Sequence, residues 1–148
     1  MASDASWWEH HDGVPDFAGR KYCLKESPSQ GDAWGVETLR MSGRDGIETD
    51  PTALKSGSNS GAAAINLAVH FGASRVVLLG YDMKPSKAGS HWFGEHPVPL
   101  RRNSPYGAFL EKFRGMVEPL RDLGVEVVNC SRETALECFP RVALEGVL

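Results

Sequence analysis

The chain has 148 residues, of which 41% are hydrophobic and 24% are charged, and its formal net charge is -3. These values are typical of one soluble globular domain, and the slight acidic excess argues against a protein that coats nucleic acid. No segment approaches the roughly 20 apolar residues of a membrane span, and the first residues lack the basic and apolar stretches of a signal peptide. We therefore expect a single domain, residues 1–148, in the cytoplasm, without membrane or nucleic-acid partners.

The first 58 residues show little periodicity, and short strands are predicted only at 21–24 and 34–40. Residues 41–60 are predicted mostly as loop, because Gly and Asp recur there and Pro51 interrupts the pattern. Tryptophans and histidines cluster near the start of the chain. Adjacent tryptophans commonly place one ring in the core and the other at a pocket. We therefore take Asp4 and Trp7 as candidate ligand contacts.

A turn of small polar residues, "SGSNSG" at 56–61, precedes an Ala-rich run that predicts a helix over 61–71. Two interpretations stay open. A helix N-terminus carries unpaired N–H groups and partial positive charge, so the turn suits a phosphate or carboxylate. Ser and Asn are also the preferred N-cap residues, so the turn suits a plain cap. The candidate ligand contacts in this turn are Ser58, Asn59, Ser60 and Gly61.

Within the 61–71 helix, Asn66 and His70 lie four residues apart and therefore share one face. Both are expected to hydrogen-bond to a neighbouring loop, and a buried, satisfied role is favoured for His70 over a catalytic one. Gly72 suits the residue that ends the helix.

Apolar runs at 75–80 and 124–129 predict parallel strands that are buried on both faces. Between them, apolar residues at steps of three and four predict a helix over 106–123, which Pro119 should kink or divide. A short helix is predicted after residue 131, ending before Pro140. This alternation predicts an α/β fold with a mostly parallel sheet.

Ligands in open parallel sheets bind at the carboxyl ends of the strands. Asp82 follows the 75–80 strand and Ser131 follows the 124–129 strand. We expect both to converge with the 58–61 turn on one cleft.

The loop at 81–105 contains "SHWFGEHP", with histidines at His91 and His96. Its H-x-x-x-E-H spacing differs by one residue from a known zinc motif, and we predict no metal and no cofactor. A histidine beside a phosphate can act as a general acid or base. The Arg101–Arg102 pair either clamps an anionic ligand or lies solvated at the surface. The odd number of cysteines argues for free thiols rather than a disulfide framework.

Three segments carry a resemblance to known families. "NSGAAAINLAVHFGASRVVLLGYDM" at 59–83 resembles the central segment of bacterial sialyltransferases that use CMP-sialic acid, and of DUF115-like proteins related to archaeal pterin pyrophosphokinases. "SHWFGEHP" looks like the sialyltransferase segment that carries the general base, and "VVNCSRETALECF" at 127–139 is similar to the strand and turn beside the cytidine. As a whole, the chain is similar to small phage and prophage proteins labelled "norphogenetic".

The resemblance implies a Rossmann-like three-layer sandwich of phage or prophage origin in a bacterial host cell. It implies a nucleotide or nucleotide-sugar ligand and a glycosyltransferase-like function, with His96 as the base and His91 as its substitute. Those enzymes begin with a strand and a Gly-x-Gly-Pro-Ser turn, and they carry tyrosines where this chain has Met83 and Lys84. We therefore expect an N-terminally shortened fold whose exposed sheet edge a homo-oligomer covers. The alternative is a phage protein that sequesters a nucleotide-derived ligand, or acts through protein–protein contacts, without catalysis.

Overall fold

The computed structural model describes residues 1–24, 31–85, 96–100 and 103–147. The chain divides into two compact units, Met1–Phe71 and Gly72–Leu148. Each combines helices with parallel strands, so the predicted α/β class is confirmed. Among the residues described, no helix has both the length and the apolar character needed to cross a membrane.

The first unit is built around three parallel strands. Its elements, in chain order, are α1 (Ala5–His10), β1 (Lys21–Leu24), β2 (Val36–Gly43), β3 (Ala53–Lys55) and α2 (Ser60–His70). The strand order is β1-β2-β3, and both neighbouring pairs are parallel. A further parallel bridge joins Ala2 to Cys23, so the chain also runs beside β1 just before α1.

Alternation along β1 gives the sheet of this unit two apolar faces. Tyr22 and Leu24 join a core cluster with Leu54 of β3 and with Ala63 and Leu67 of α2. Cys23 joins a second cluster with Ala2, Val36 and Trp8 of α1. One helix therefore contributes to each cluster. The predicted strand at 21–24 is confirmed, whereas the predicted strand at 34–40 begins two residues later and runs to Gly43.

The prediction that residues 41–60 are mostly loop is wrong for the end of β2 and for β3. Ala53 and Leu54 are fully buried, and β3 pairs with β2 through Arg40 and Met41. Two buried apolar residues are too few to show periodicity in the sequence, but their burial is enough to hold a short strand against its neighbour. The segment just after Asp4, predicted as irregular, forms the short helix α1.

The second unit pairs β4 (Arg75–Leu78) with β5 (Glu126–Asn129) in parallel, as predicted. Between them lie a 3₁₀ turn (Val98–Leu100) and the helix α3 (Tyr106–Asp122), and a second 3₁₀ turn follows at Leu144–Gly146. The predicted apolar stripe of α3 is buried at Phe113, Met116 and Leu120. The helix continues three residues past Pro119, so this proline does not divide it.

Two predictions for the second unit are wrong. Val77 and Leu79 of the apolar run are 36% and 58% exposed, whereas Leu78 is buried, so β4 is buried on one face only. A continuous apolar run does not show how many faces its neighbours cover. The helix predicted after residue 131 is also not formed. The Leu136 N–H donates to the Thr134 hydroxyl and the Ala135 N–H donates to the Asp82 carbonyl, so donors that a helix would need are used elsewhere.

Candidate functional site

The small polar residues before α2 form a tight turn and a helix cap. Gly57 and Ser58 have φ values of 55° and 58°, and the Asn59 N–H donates to the Ser56 carbonyl, which is the geometry of a type I′ turn. The Ser58 N–H donates to the Ser56 hydroxyl. The Asn59 side chain then accepts the Ala62 N–H at 2.8 Å. The N-cap interpretation is therefore confirmed for Asn59, and the anion-binding role of the turn stays a prediction.

Gly57 explains why this turn has so little side-chain bulk. A Cβ atom at Gly57 would lie 2.1 Å from the Cβ of Ala62, well inside van der Waals contact. The left-handed backbone at this position independently favours glycine. Packing of the turn against the first turn of α2 therefore explains the absence of a side chain at Gly57 without a ligand.

Ser60, the first residue of α2, forms hydrogen bonds with Ser3. The Ser60 hydroxyl lies 3.1 Å from the Ser3 hydroxyl, and it accepts the Ser3 N–H at 3.3 Å. Asp4 is exposed and occupies the N-cap position of α1 without making a side-chain cap bond. Trp7 is half-buried, with its ring centroid 4.5 Å from that of His11. The structure thus brings Ser60 next to the segment that carries Asp4.

The predicted pairing of Asn66 and His70 with a loop is confirmed. Asn66 is fully buried, accepts the N–H groups of Glu48 and Lys55, and donates to the Glu48 carbonyl at 2.8 Å. The His70 Nε2 also lies 2.8 Å from the Glu48 carbonyl. Because a carbonyl can only accept, Nε2 carries the proton. Both side chains hold the loop between β2 and β3 in place.

The second unit contains an open cleft of about 1240 Å³ at the carboxyl ends of β4 and β5. Asp82 and Ser131, the two residues predicted from the strand ends, both line this cleft. The other described residues that line it are Leu79, Gly80, Lys84, Pro85, Cys130, Arg132, Glu133, Arg141, Val142, Ala143, Leu144 and Glu145. The position of the cleft is that expected for ligand binding by parallel strands.

A buried polar network fixes the two loops of the cleft. Asn129 is fully buried, donates to the Thr134 hydroxyl and to the Leu136 carbonyl, and accepts the Ser131 N–H at 3.0 Å. The Ser131 hydroxyl accepts the Tyr81 N–H at 2.7 Å, and the Thr134 hydroxyl donates to the Tyr81 carbonyl. Burial raises the pKa of the Tyr81 phenol. Ser131 therefore joins the loop after β4 to the loop after β5 as well as lining the cleft.

Charged side chains of both signs lie on the cleft lining. Among the described residues, three are cationic (Lys84, Arg132, Arg141) and three are acidic (Asp82, Glu133, Glu145). Lys84 and Glu133 form an ion pair at 3.1 Å. The Arg141 guanidinium donates to the Arg132 carbonyl. Neither arginine forms an ion pair with a described residue, so both guanidinium groups can bind an incoming anion.

Sequence reasoning missed Arg132, Arg141 and Asn129. Arg141 reaches the cleft because it bridges Asn129 as a parallel neighbour of β5. That pairing joins residues beyond a loop, and no periodic pattern marks it. A polar residue closing an apolar strand was the available signal for Asn129.

The remaining predicted site residues are placed as follows. His96 is half-buried and is not among the described residues that line the cleft. His91 and Arg101 lie outside the described residues. The 58–61 turn belongs to the first unit and the cleft to the second, so their convergence stays a prediction. Within the described ranges, no three His, Cys, Asp or Glu side chains are grouped closely enough to hold a metal ion.

Comparisons of the chain with protein-family models, curated proteins and solved structures found no match. The cleft and its lining residues are therefore the basis for assigning a function.

Proposed function

We propose that the protein is a Rossmann-like nucleotide or nucleotide-sugar binding protein, with its ligand in the cleft at the carboxyl ends of β4 and β5. The observation that carries this proposal is the position of Asp82, Ser131, Arg132 and Arg141 around one cleft at parallel strand ends. Polar groups at such ends are typical of nucleotide sites in α/β proteins.

The two arginines suit a phosphate group. A guanidinium is planar and permanently charged, and it can bond two phosphate oxygens at once. Arg132 and Arg141 are both exposed, and the structure describes no carboxylate paired with either. An anion bound here gains charge-assisted hydrogen bonds without first breaking an ion pair to an arginine.

The rest of the lining suits the neutral parts of a nucleotide. A carboxylate such as Asp82 accepts hydrogen bonds from sugar hydroxyls, as an acidic residue does in dinucleotide sites. Val142 and Leu144 give the lining an apolar side. The mixture of charged and apolar residues on the described lining favours a ligand that offers hydroxyl and apolar groups together with its phosphate.

We propose binding as the basic activity, with sugar transfer by a histidine as the second candidate. The part of the cleft lining that the structure describes includes no histidine, and transfer to a hydroxyl needs a general base. The resemblance to sialyltransferases assigns that base to His96. Recovery of the ligand after incubation separates the two: intact ligand supports binding, and hydrolysis or transfer that is lost in His96→Ala supports catalysis.

Calorimetric titration tests the proposed site. The panel consists of CMP-sialic acid, UDP- and GDP-sugars and the corresponding nucleotides. Arg132→Gln and Arg141→Gln should each weaken binding by tenfold or more, since a hydrogen bond to a charged group contributes about 1.5–3 kcal/mol. Arg121→Gln is the matched control, because Arg121 lies on α3 and pairs with Glu118. Full binding by the Arg132/Arg141 double variant, or no binding to wild-type protein at millimolar ligand, contradicts the proposal.

Cys130 offers a second readout of occupancy. Its half-buried thiol lines the cleft, whereas the similarly half-buried Cys138 is absent from the described lining. A bound nucleotide should slow maleimide labelling of Cys130 and leave the labelling rate of Cys138 unchanged. Mass spectrometry of the two peptides measures both rates in one sample. Equal protection of both thiols would indicate a general stabilisation of the fold rather than occupancy of the cleft.

A further inference from the structure

The ion pair between Lys84 and Glu133 joins the two loops that line the cleft. Lys84 lies in the loop after β4 and Glu133 in the loop after β5, and their charged atoms are 3.1 Å apart. Their side chains are 41% and 73% exposed, so the pair lies in contact with water. Both residues line the cleft that also contains Arg132 and Arg141.

This pair makes Lys84 different from the two arginines. All three are cations on one cleft, but only Lys84 is neutralised by a carboxylate among the residues described. An exposed ion pair changes an equilibrium constant by about fivefold at most, because water solvates both partners well. A phosphate offers more negative charge and more acceptor oxygens than a carboxylate. Phosphate can therefore replace the carboxylate on Lys84 at small cost.

We propose that Glu133 is a built-in competitor for Lys84, and that an anionic group of the ligand binds Lys84 by displacing the Glu133 carboxylate. This inference rests on the proposed nucleotide cleft and adds the residue that sets its selectivity. A neutral sugar or nucleoside cannot replace the carboxylate, so the pair favours phosphorylated ligands. Glu133 also offsets the charge of Lys84 until such a ligand arrives.

A double-mutant cycle with inorganic pyrophosphate tests the competition. Pyrophosphate is titrated calorimetrically at low salt into wild-type protein, Glu133→Gln, Lys84→Gln and the double variant. Glu133→Gln should tighten binding about three- to fivefold, since the amide leaves Lys84 unpaired. Lys84→Gln should weaken binding. In the Lys84→Gln background, Glu133→Gln should lose most of its effect, because no cation remains for Glu133 to block.

Glu145→Gln is the matched control. Glu145 lines the same cleft and forms no ion pair with a described residue, so its removal measures the general effect of deleting one negative charge. We expect that effect to be below twofold and to be the same with or without Lys84. Thermal melts confirm that each variant is folded, and the exposure of Lys84 and Glu133 makes that outcome expected.

The possible results separate this inference from the cleft itself. If wild-type protein binds nucleotides but Glu133→Gln tightens pyrophosphate binding no more than Glu145→Gln, the competitor role is overturned and the cleft stands. Weaker binding by Glu133→Gln also overturns it, since Glu133 would then contact the ligand. Absence of binding in every protein, with nucleotides as well as pyrophosphate, overturns both proposals.

Discussion

The two units of this protein end their parallel strands in different ways. In the first unit, the turn after β3 uses its own donors: the N–H groups of Ser58, Asn59 and Ala62 all bond to groups within the turn. In the second unit, hydrogen bonds of Asn129 and Ser131 fix the loops after β4 and β5. The charged side chains of these loops line a cleft.

The difference shows what a polar cluster at a strand end does and does not reveal. Serine, asparagine and glycine can satisfy the backbone of their own turn, and they then leave little for a ligand. Arginine cannot accept a hydrogen bond and carries several donors, so Arg141 keeps donors available even though one of them bonds to the Arg132 carbonyl. The second unit is therefore the better candidate for binding, although the first carries the more conspicuous sequence.

The strongest test of this comparison removes the buried amide from each unit. Asn129→Ala leaves the Ser131 N–H and the Leu136 carbonyl without their partners, and Asn66→Ala does the same to Glu48 and Lys55. Each unsatisfied buried group costs about 1–3 kcal/mol, so each variant should lose about 3 kcal/mol of unfolding free energy in a denaturant titration.

Ligand affinity should then distinguish the two variants. Asn129→Ala should weaken nucleotide binding and Asn66→Ala should not, because Asn129 helps to fix the loops of the cleft, whereas Asn66 holds the loop between β2 and β3. Asn103→Ala is the control, since Asn103 is exposed and its loss should change stability by less than about 0.5 kcal/mol. Equal loss of nucleotide binding in Asn66→Ala and Asn129→Ala would break the comparison.

Much of this fold could be predicted because the spacing of apolar residues in a long segment indicates which face of that segment is buried. The stripe of Phe113, Met116 and Leu120 predicts α3 directly, and the Ala-rich run predicts α2 to within one residue. β3 could not be predicted, because only Ala53 and Leu54 are buried and their partners lie in β2, about a dozen residues earlier. The exposed face of β4 was missed for a related reason: the number of neighbours a strand has is a tertiary property.

Some residues of the candidate site could likewise be predicted from the sequence, and others could not. Asp82 and Ser131 could be placed in one cleft, since parallel strands bring their carboxyl ends to the same edge. Arg141 could not, because a bridge to Asn129 across an irregular loop carries it there. The 58–61 turn was assigned two roles from the same residues. The structure confirms the cap at Asn59, whose side chain accepts the Ala62 N–H, and the sequence alone does not show which partner this side chain takes.

Two variants with smaller expected effects on stability test whether the 58–61 turn also binds an anion. Asn59→Ala removes the acceptor of the Ala62 N–H and should cost about 1 kcal/mol of unfolding free energy, as N-cap deletions do. Gly61→Val should change stability less, because Gly61 has the helical backbone of α2 and needs no left-handed conformation. Thermal melts of both variants measure these effects. If Gly61→Val instead abolishes nucleotide binding while the melting temperature holds, the turn binds the anion and the contrast between the units fails.

The smallest expected effect concerns a carboxylate in each unit. Asp50 accepts the N–H and the hydroxyl of Thr52 at 2.9 and 2.7 Å, and these bonds, with Arg40 nearby, lower the pKa of its carboxyl group. A lowered folded-state pKa stabilises the fold above the ordinary carboxyl range, and this contribution is lost as the pH falls through the folded value. Asp50→Asn should therefore lower the melting temperature at neutral pH, and its curve of melting temperature against pH should merge with that of wild-type protein at strongly acidic pH.

Asp82→Asn is the control, since the Asp82 side chain makes no hydrogen bond to a described residue. A gap between wild-type protein and Asp50→Asn that stays constant down to about pH 2, where carboxyl groups are protonated, would show that the Asp50 charge does not contribute. The hydrogen bonds from Thr52 would then hold the loop between β2 and β3 without a contribution from the charge of Asp50.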